Sequence, residues 1–209
     1  IIFLDLSDVH DDNVCYIIKN NKVTKKTDGK SDCYYENYNF SEKLSAFSLN
    51  RLRLTYELFS IVNTFLINTG VKEKKVKNWV INNPRSNWTF NYDETLFNNL
   101  KREEVLKNSE NLMIELYKIL NQNNIKLSVA VFPWPGTLKY ENSINLHTTF
   151  WRKFCENRCK QFMNLQEPFF NIKDKSSFKK TYFTYFIEGD VHFNEKGNDL
   201  MADNFLKLF

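Results

Sequence analysis

The chain has 209 residues, a length that suits one domain with a sizeable buried core. Hydrophobic residues make up 42% of it and aromatic residues 16%, and this composition excludes an intrinsically disordered chain in spite of 26% charged residues. The net charge of +4 comes from lysines scattered along the chain, which do not form the basic arm or stripe typical of nucleic-acid-binding proteins. No run of about 18 apolar residues occurs, so we expect no membrane span.

The first residues, "IIFLDLSDV", predict a short buried strand that ends in a polar turn. Because a domain rarely begins inside a buried strand, we expect that residues N-terminal to Ile1 exist in the parent protein. A signal peptide cannot be recognised from such a start, and both a cell-envelope and a cytoplasmic location are compatible with the sequence. Residues 19–39 are polar and aperiodic and predict a long loop.

Two helices are predicted next. The first runs over 41–69, with Ser41 as N-cap, Gly70 as its stop and an apolar stripe that includes Ile61, Val62 and Phe65 and is expected to pack in the core. The second runs over about 94–121 and ends in the polar sequence "NQNN".

The second half of the chain alternates between strands and helices. Residues 127–132 predict a strand that the prolines of "FPWPGT" end, and a helix follows over about 145–165. The short segment "PFFNIK" predicts another strand, and a final helix starts after Asn194. This order predicts a single domain over 1–209 of the α/β class, a three-layer α/β/α sandwich with a mostly parallel sheet. Ligands are then expected at the carboxyl ends of strands, in the turns after Leu6 and Phe132.

The four cysteines are too few for a disulfide scaffold in a chain of this length. Cys155 and Cys159 lie four residues apart on one face of a predicted helix, whereas Cys15 and Cys33 flank a polar loop. Ordinary thiols are the expectation, and one or two disulfides or a metal site are the alternatives.

Two of the three histidines are interpreted as surface residues. His10 stands beside Asp11 and Asp12, but one histidine and acids on a loop do not specify a metal. His147 lies near the start of a predicted helix. No metal and no cofactor are predicted.

The third histidine lies in "GDVHFN". A histidine that accepts a proton from a nucleophile needs an acceptor at its other ring nitrogen, and Asp190 is close enough to serve His192 in this way. Asn194 suits the N-cap of the helix that would anchor this loop. His192 is therefore a candidate general base, and Asp190 is the candidate carboxylate that orients it.

The pattern D-x-H-x-N-x-x-G, formed by Asp190, His192, Asn194 and Gly197, resembles the last conserved block of the SGNH (GDSL-like) hydrolases. In the commonest form of that family the Asp precedes the His by three residues, while the spacing of two found here resembles the SGNH domains related to alginate O-acetyltransferases. The resemblance implies a flavodoxin-like SGNH fold, with His192 and Asp190 as catalytic residues and Asn194 in support.

Two weaker matches add to this resemblance. "IIFLDLSDV" is similar in shape to the family's strand that ends in "GxND", and this implies that Ser7 stands where the family has an oxyanion-binding Asn and that Asp8 keeps the final acid. The strand before "PWPGT" resembles the penultimate strand, where Trp134 either stacks on a sugar ring or closes the end of the sheet. The family's "GDS" block has no counterpart here, so the nucleophilic Ser is expected upstream of Ile1.

The resemblance implies a serine esterase or O-acyl (acetyl) transferase that acts on an acylated carbohydrate or another ester by acyl-enzyme chemistry, as in bacterial polysaccharide modification. No nucleic acid is expected as a partner. The alternative is a catalytically inactive SGNH-like module that binds a glycan or a partner enzyme, which the serine at position 7 favours. An unrelated α/β domain is the third possibility. A "GDS" after a strand in the upstream sequence would favour the enzyme.

Overall fold

The computed structural model describes residues 1–14, 16–19, 22–25, 61–62, 64–67, 69 and 74–208. The chain divides into two compact units, one formed by 1–33 with 76–209 and the other by 34–75. The parallel sheet and all the candidate site residues belong to the first unit.

In the second unit, residues 61–62 and 64–67 are helical, inside the helix predicted over 41–69. Ile61, Val62 and Phe65 are exposed, so the prediction that they pack in the core was wrong. The rest of that predicted helix, and most of the loop predicted over 19–39, lies outside the described residues.

Three short strands form a parallel sheet in the first unit. Strand β1 is Ile2–Leu4; after a separate antiparallel hairpin of β2 (Tyr16–Lys19) and β3 (Lys22–Lys25), β4 is Ser128–Val131 and β5 is Gln161–Asn164. The sheet order is β1-β4-β5, so β4 is the central strand of the described sheet. The α/β class with a parallel sheet, predicted from the sequence, is confirmed.

Eight helices connect and cover the strands in the described parts of this unit, and two 3₁₀ turns, Asn87–Thr89 and Glu94–Phe97, lie among them. They are α1 (Leu6–Val14), α2 (Asn78–Ile81), α3 (Arg102–Gln122), α4 (Pro135–Tyr140), α5 (Leu146–Cys155), α6 (Glu167–Lys175), α7 (Phe178–Tyr185) and α8 (Glu195–Leu208). Across the described ranges, none of the helices combines the length and the apolar character that a membrane crossing requires.

The side chains of the strands contribute to two apolar layers, one on each face of the sheet, because successive residues of a strand point to opposite faces. On one side, Leu4, Val129 and Val131 pack with residues of α1, α3 and α5. On the other side, Ala130 and Met163 pack with Met201 and Phe205 of α8, and the ring of Phe3 lies 5.6 Å from that of Phe205. Helices therefore cover both faces of the sheet, as an α/β sandwich requires.

The structure corrects the prediction of a polar turn after β1. Helix α1 begins there at Leu6, because Asp5 and Asp8 cap its first turn reciprocally. The Asp5 carboxylate accepts from the backbone amide of Asp8 at 3.2 Å, and the Asp8 carboxylate accepts from the amide of Asp5 at 2.7 Å. This is the acidic version of a capping box, and it satisfies amides that a helix start leaves unpaired.

Two further elements differ from the prediction. "PFFNIK" is not a strand but part of helix α6. Pro168 occupies the first turn of this helix, a place that tolerates proline, and the side chains of Phe169 and Phe170 are buried. The helix predicted over 145–165 ends at Cys155, and β5 occupies its last part. Pairing of β5 with the central strand outweighs local helix propensity there.

Cys155 and Cys159 form a disulfide across the turn that leaves α5. Of the alternatives open from the sequence, the structure thus selects a disulfide for this pair, and the expectation of ordinary thiols was wrong for it. Cys15 and Cys33 lie outside the described residues.

Candidate functional site

The "GDVHFN" segment is a tightly bonded loop between α7 and α8. Phe186 and Phe193 form an antiparallel bridge at its base. Inside the loop, the amide of Ile187 donates to the carbonyl of His192 at 2.9 Å, and the amide of Asp190 donates to the carbonyl of Ile187 at 3.0 Å. The backbone that carries Asp190 and His192 is therefore fixed by its own hydrogen bonds.

Within this loop the side chains of Asp190 and His192 are paired. Nδ1 of His192 lies 2.6 Å from Oδ1 of Asp190, and the same oxygen accepts from the backbone amides of Val191 at 2.6 Å and His192 at 3.2 Å. Burial alone would raise the pKa of Asp190, but the hydrogen bonds from the His192 ring and these amides outweigh it and hold that pKa below its usual value. The carboxylate is thus ionised and held against one ring nitrogen.

The His192 side chain is 75% exposed. With Nδ1 directed at Asp190, the other side of the ring is accessible to a molecule in solution. This is the arrangement required of a general base whose tautomer is set by a carboxylate, because Nδ1–H donates to Asp190 and leaves Nε2 as the acceptor.

The remaining two residues of the motif build the support for the loop. The Asn194 amide donates to the carbonyls of Thr184 at 3.0 Å and Phe186 at 3.2 Å, and its oxygen accepts from the amide of Gly197 at 3.1 Å. Asn194 therefore caps α8, as predicted, and also ties the end of α7 to the loop.

Gly197 is buried where α8 crosses the end of α7. A Cβ at this position would collide with the carbonyl oxygen of Tyr185 and with the Cβ of Phe193. The glycine of the motif thus allows a close approach of two helices, a role that the sequence spacing alone does not reveal.

Ser7 and Asp8, the candidate oxyanion residues, lie in the first turn of α1, directly after β1. The amide and the hydroxyl of Ser7 both donate to Oδ1 of Asp5 at 2.6 Å, and 7% of the residue is exposed. Burial, and secondarily the charge of Asp5, raises the pKa of Asp8 to about 7. Asp5 is the residue that the sequence analysis missed here, and its signal was the D-x-x-D spacing of a capping box.

The ends of β1 and β4 and the Asp190–His192 loop converge. Leu6, which follows β1, Trp134, which follows β4, and Val191, which lies between the paired side chains, pack in one apolar cluster. The Trp88 indole donates to the carbonyl of Leu6 at 2.8 Å and fixes the junction between β1 and α1. Trp134 and the direct neighbours of Ser7 and of the Asp190–His192 pair thus belong to one apolar cluster.

Trp134 itself is 5% exposed. Stacking on a sugar requires an open ring face. Of the two interpretations left open by the sequence, the structure therefore shows the one in which the indole closes the end of the sheet.

His10 is fully buried, so the prediction of a solvent-facing residue was wrong. Its helix α1 turns it toward the interior, where its ring meets Phe97 edge-on at 5.3 Å. Nδ1 lies 3.2 Å from Oδ1 of Asp11, which also pairs with Arg85. Burial would raise the pKa of Asp11, but the hydrogen bonds with His10 and Arg85 lower it overall. Asp11 is thus engaged in an ion pair with Arg85.

His147 is also fully buried, which corrects its interpretation as a surface residue. Its ring packs edge-on against Trp88 at 5.9 Å, and Nδ1 lies 3.4 Å from the amide nitrogen of Gln166. Burial lowers the pKa of His147 to about 3, so the ring is neutral at physiological pH. It serves as a core residue.

Two further findings bear on the site. In the described part of the chain, no three His, Cys, Asp or Glu side chains are grouped so that they could hold a metal ion. No protein-family model, curated protein or solved structure matches the chain. A proposal for its function therefore rests on the local geometry and on the motif, and the paired Asp190 and His192 are the feature with recognisable chemistry.

Proposed function

We propose that this protein is an ester hydrolase or O-acyl transferase in which His192 is the general base and acid and Asp190 orients it. The observation that carries the proposal is the 2.6 Å contact between Nδ1 of His192 and Oδ1 of Asp190, on a ring that is otherwise open to solvent. A carboxylate in this position fixes the tautomer that accepts a proton at Nε2 and stabilises the imidazolium that results.

For the nucleophile, we propose Ser7 in place of a serine upstream of Ile1. Ser7 lies in the first turn of a helix that directly follows a parallel strand, and α/β hydrolases present their nucleophilic serines at strand-to-helix turns. Leu6, next to Ser7, and Val191, next to His192, belong to the same apolar cluster. In the structure the Ser7 hydroxyl donates to Asp5, so the proposal requires it to exchange this partner for His192 when substrate binds.

In this mechanism, Oγ of Ser7 attacks the ester carbonyl while Nε2 of His192 accepts the hydroxyl proton. The tetrahedral intermediate collapses, and His192 returns the proton to the leaving alcohol, so that an acyl-serine remains. Water or a sugar hydroxyl then attacks the acyl-serine, with His192 again accepting the proton; the bond from the acyl carbon to Oγ breaks, His192 passes the proton to Oγ, and Ser7 is regenerated. Attack by water is hydrolysis, and attack by a sugar hydroxyl is acyl transfer that yields an acylated carbohydrate.

The experiment measures hydrolysis of p-nitrophenyl acetate by the 209-residue chain and its labelling by a fluorophosphonate, with the adduct located by peptide mass spectrometry. We expect turnover and an adduct on the peptide that contains Ser7, and loss of both in His192→Ala. Ile187→Ala, a change at an exposed position of the same loop, is the matched control and should retain both.

The outcomes separate the two parts of the proposal. Turnover that survives Ser7→Ala but not His192→Ala would place the nucleophile elsewhere while keeping the role of His192. A wild-type chain with neither turnover nor adduct would contradict the enzymatic proposal as a whole.

One observation favours the second candidate, a catalytically inactive module that binds a glycan. Asp5 accepts from the amides of Ser7 and Asp8 and from the Ser7 hydroxyl, so the groups that an oxyanion would need are already occupied. Titration calorimetry with acetylated and unacetylated oligosaccharides tests this candidate. Binding of an acetylated oligosaccharide without its hydrolysis would favour the module over the enzyme.

A further inference from the structure

We propose that Tyr182 is a positioning residue for the Asp190–His192 pair, acting through its buried hydroxyl. This inference rests on the proposed function for its kinetic consequence, but its structural consequence can be measured without any catalysis. Tyr182 lies in α7, outside the motif, and nothing in the sequence pattern singles it out.

The hydroxyl of Tyr182 lies at the centre of the loop. It accepts from the amides of Gly189 at 2.8 Å and Asp190 at 3.2 Å, and it lies 3.0 Å from the carbonyl oxygen of Ile187 and 3.1 Å from that of Asp190. Four backbone groups, which belong to Ile187, Gly189 and Asp190, therefore meet at one oxygen atom. None of these groups belongs to a helix or a strand, so the phenol supplements the one backbone hydrogen bond among them, from the Asp190 amide to the Ile187 carbonyl.

The hydroxyl can donate to one of the two carbonyls while it accepts from the amides, because it keeps its proton. Burial raises the pKa of Tyr182, and the amide hydrogen bonds only partly offset this effect. The neutral phenol therefore donates to a carbonyl and accepts from amides over the whole physiological pH range. Its ring is fully buried and stacks against Phe186 at 5.6 Å, so the oxygen is held at a fixed point relative to the base of the loop.

Gly189 adds to this arrangement. Its φ of 77° is a left-handed conformation, which directs its amide toward the Tyr182 oxygen at little conformational cost for glycine. Loss of the hydroxyl would take away the acceptor of the Gly189 amide and one of the two acceptors of the Asp190 amide, which also donates to the carbonyl of Ile187. The turn would then relax, and Oδ1 of Asp190 would no longer be held against Nδ1 of His192.

The test is Tyr182→Phe, which keeps the ring packing and removes only the oxygen. Tyr185→Phe is the matched control, since it is the same change in the same helix and its phenol has no hydrogen-bond partner among the residues that the structure describes. The first readout is carboxyl ¹³C NMR of Asp190 through a pH titration. We expect the pKa of Asp190 to move up toward its ordinary value in Tyr182→Phe and to stay as in the wild type in Tyr185→Phe.

The second readout is steady-state hydrolysis of p-nitrophenyl acetate. Loss of one buried hydrogen-bonding group that acts through the His192 orientation should lower kcat about tenfold with KM unchanged. A purely structural role would reduce the amount of folded protein and leave kcat per folded molecule, and the titration of Asp190, as they were. That result would overturn the proposal.

The two readouts keep this proposal separable from the proposed function. If the wild type has no esterase activity, the enzymatic proposal fails, while the Asp190 titration still decides whether Tyr182 positions the pair. If the wild type is active and Tyr182→Phe changes neither the titration nor kcat, the role of Tyr182 is refuted and that of His192 stands.

Discussion

Asp190 and His192 bond to each other through side chains only two residues apart, with Oδ1 2.6 Å from Nδ1. The contact forms because the turn around them also directs the amides of Val191 and His192 at the same oxygen. The sequence motif and the geometry thus agree on which carboxylate belongs to this histidine.

Asp190→Asn should remove the acceptor that sets the His192 tautomer and leave the loop backbone intact. We expect kcat for ester hydrolysis to fall by a factor on the order of 10³, with KM little changed, because Asn can donate to Nδ1 and stabilise the wrong tautomer. The measurement is steady-state kinetics, with ¹⁵N NMR of the imidazole to report the tautomer. Asp199→Asn, at an exposed position of α8, is the control. Unchanged kcat in Asp190→Asn would show that His192 does not depend on this carboxylate.

Asp8 should make the stability of the fold depend on pH. Its pKa rises from 3.8 to about 7 on folding, chiefly through burial. The folded state therefore holds the proton more tightly, so the contribution of Asp8 is fully present below about pH 4 and is lost as the pH rises through 7.

Asp8→Asn cannot ionise and keeps an oxygen that can accept from the Asp5 amide. At pH 8 we expect it to raise the free energy of unfolding by on the order of 2 kcal/mol over the wild type, with a smaller difference at pH 5. Urea unfolding at the two pH values measures this. The contrasting variant is Asp93→Asn. Hydrogen bonds from the Thr95 hydroxyl and amide lower the pKa of Asp93, so this substitution should lower the free energy of unfolding at pH 8. A wild type no less stable at pH 8 than Asp8→Asn would contradict the prediction.

Gly197→Ala tests the close approach of α8 to the end of α7. Alanine in place of glycine usually stabilises a helix by about 1 kcal/mol. Here the added Cβ meets the Tyr185 carbonyl and Phe193, and we expect the free energy of unfolding to fall by about 1–3 kcal/mol. Asn198→Ala, the exposed neighbour, should change it little. Thermal and urea unfolding of both variants give the comparison, and a stabilised Gly197→Ala protein would mean that the helices do not approach as described.

The disulfide between Cys155 and Cys159 closes a small loop, so its stabilisation should be modest. In the chain-entropy view, the double change Cys155→Ala with Cys159→Ala costs about 2 kcal/mol. Both proteins are compared with Cys15 and Cys33 replaced by Ser, so that Cys155 and Cys159 are the cysteines under test. Reduction should then lower the Tm of the protein that keeps Cys155 and Cys159 and leave that of the double variant unchanged. Alkylation and mass spectrometry that find both thiols free in the untreated protein would contradict the pairing.

Local patterns predicted those features whose causes are local. The β4 strand is a short apolar run ended by prolines, and Asn194 precedes its helix with a capping side chain, so each was recognisable from neighbouring residues. The burial of His10 and His147 was not recognisable, since the opposing surfaces come from Phe97 and Trp88, far away in the sequence. Segment 161–164 likewise became a strand because β4 offered it a free edge.

The sequence by itself determined the α/β class, the Asp190–His192 pair and the cap that anchors it, because periodicity, short-range spacing and capping act over a few residues. Only the tertiary structure decided that Ser7 begins a helix at the end of β1, that Trp134 is covered, and that the Tyr182 hydroxyl holds the loop. Those outcomes depend on which distant backbone groups and apolar faces meet when the layers pack, and no short-range pattern records that choice.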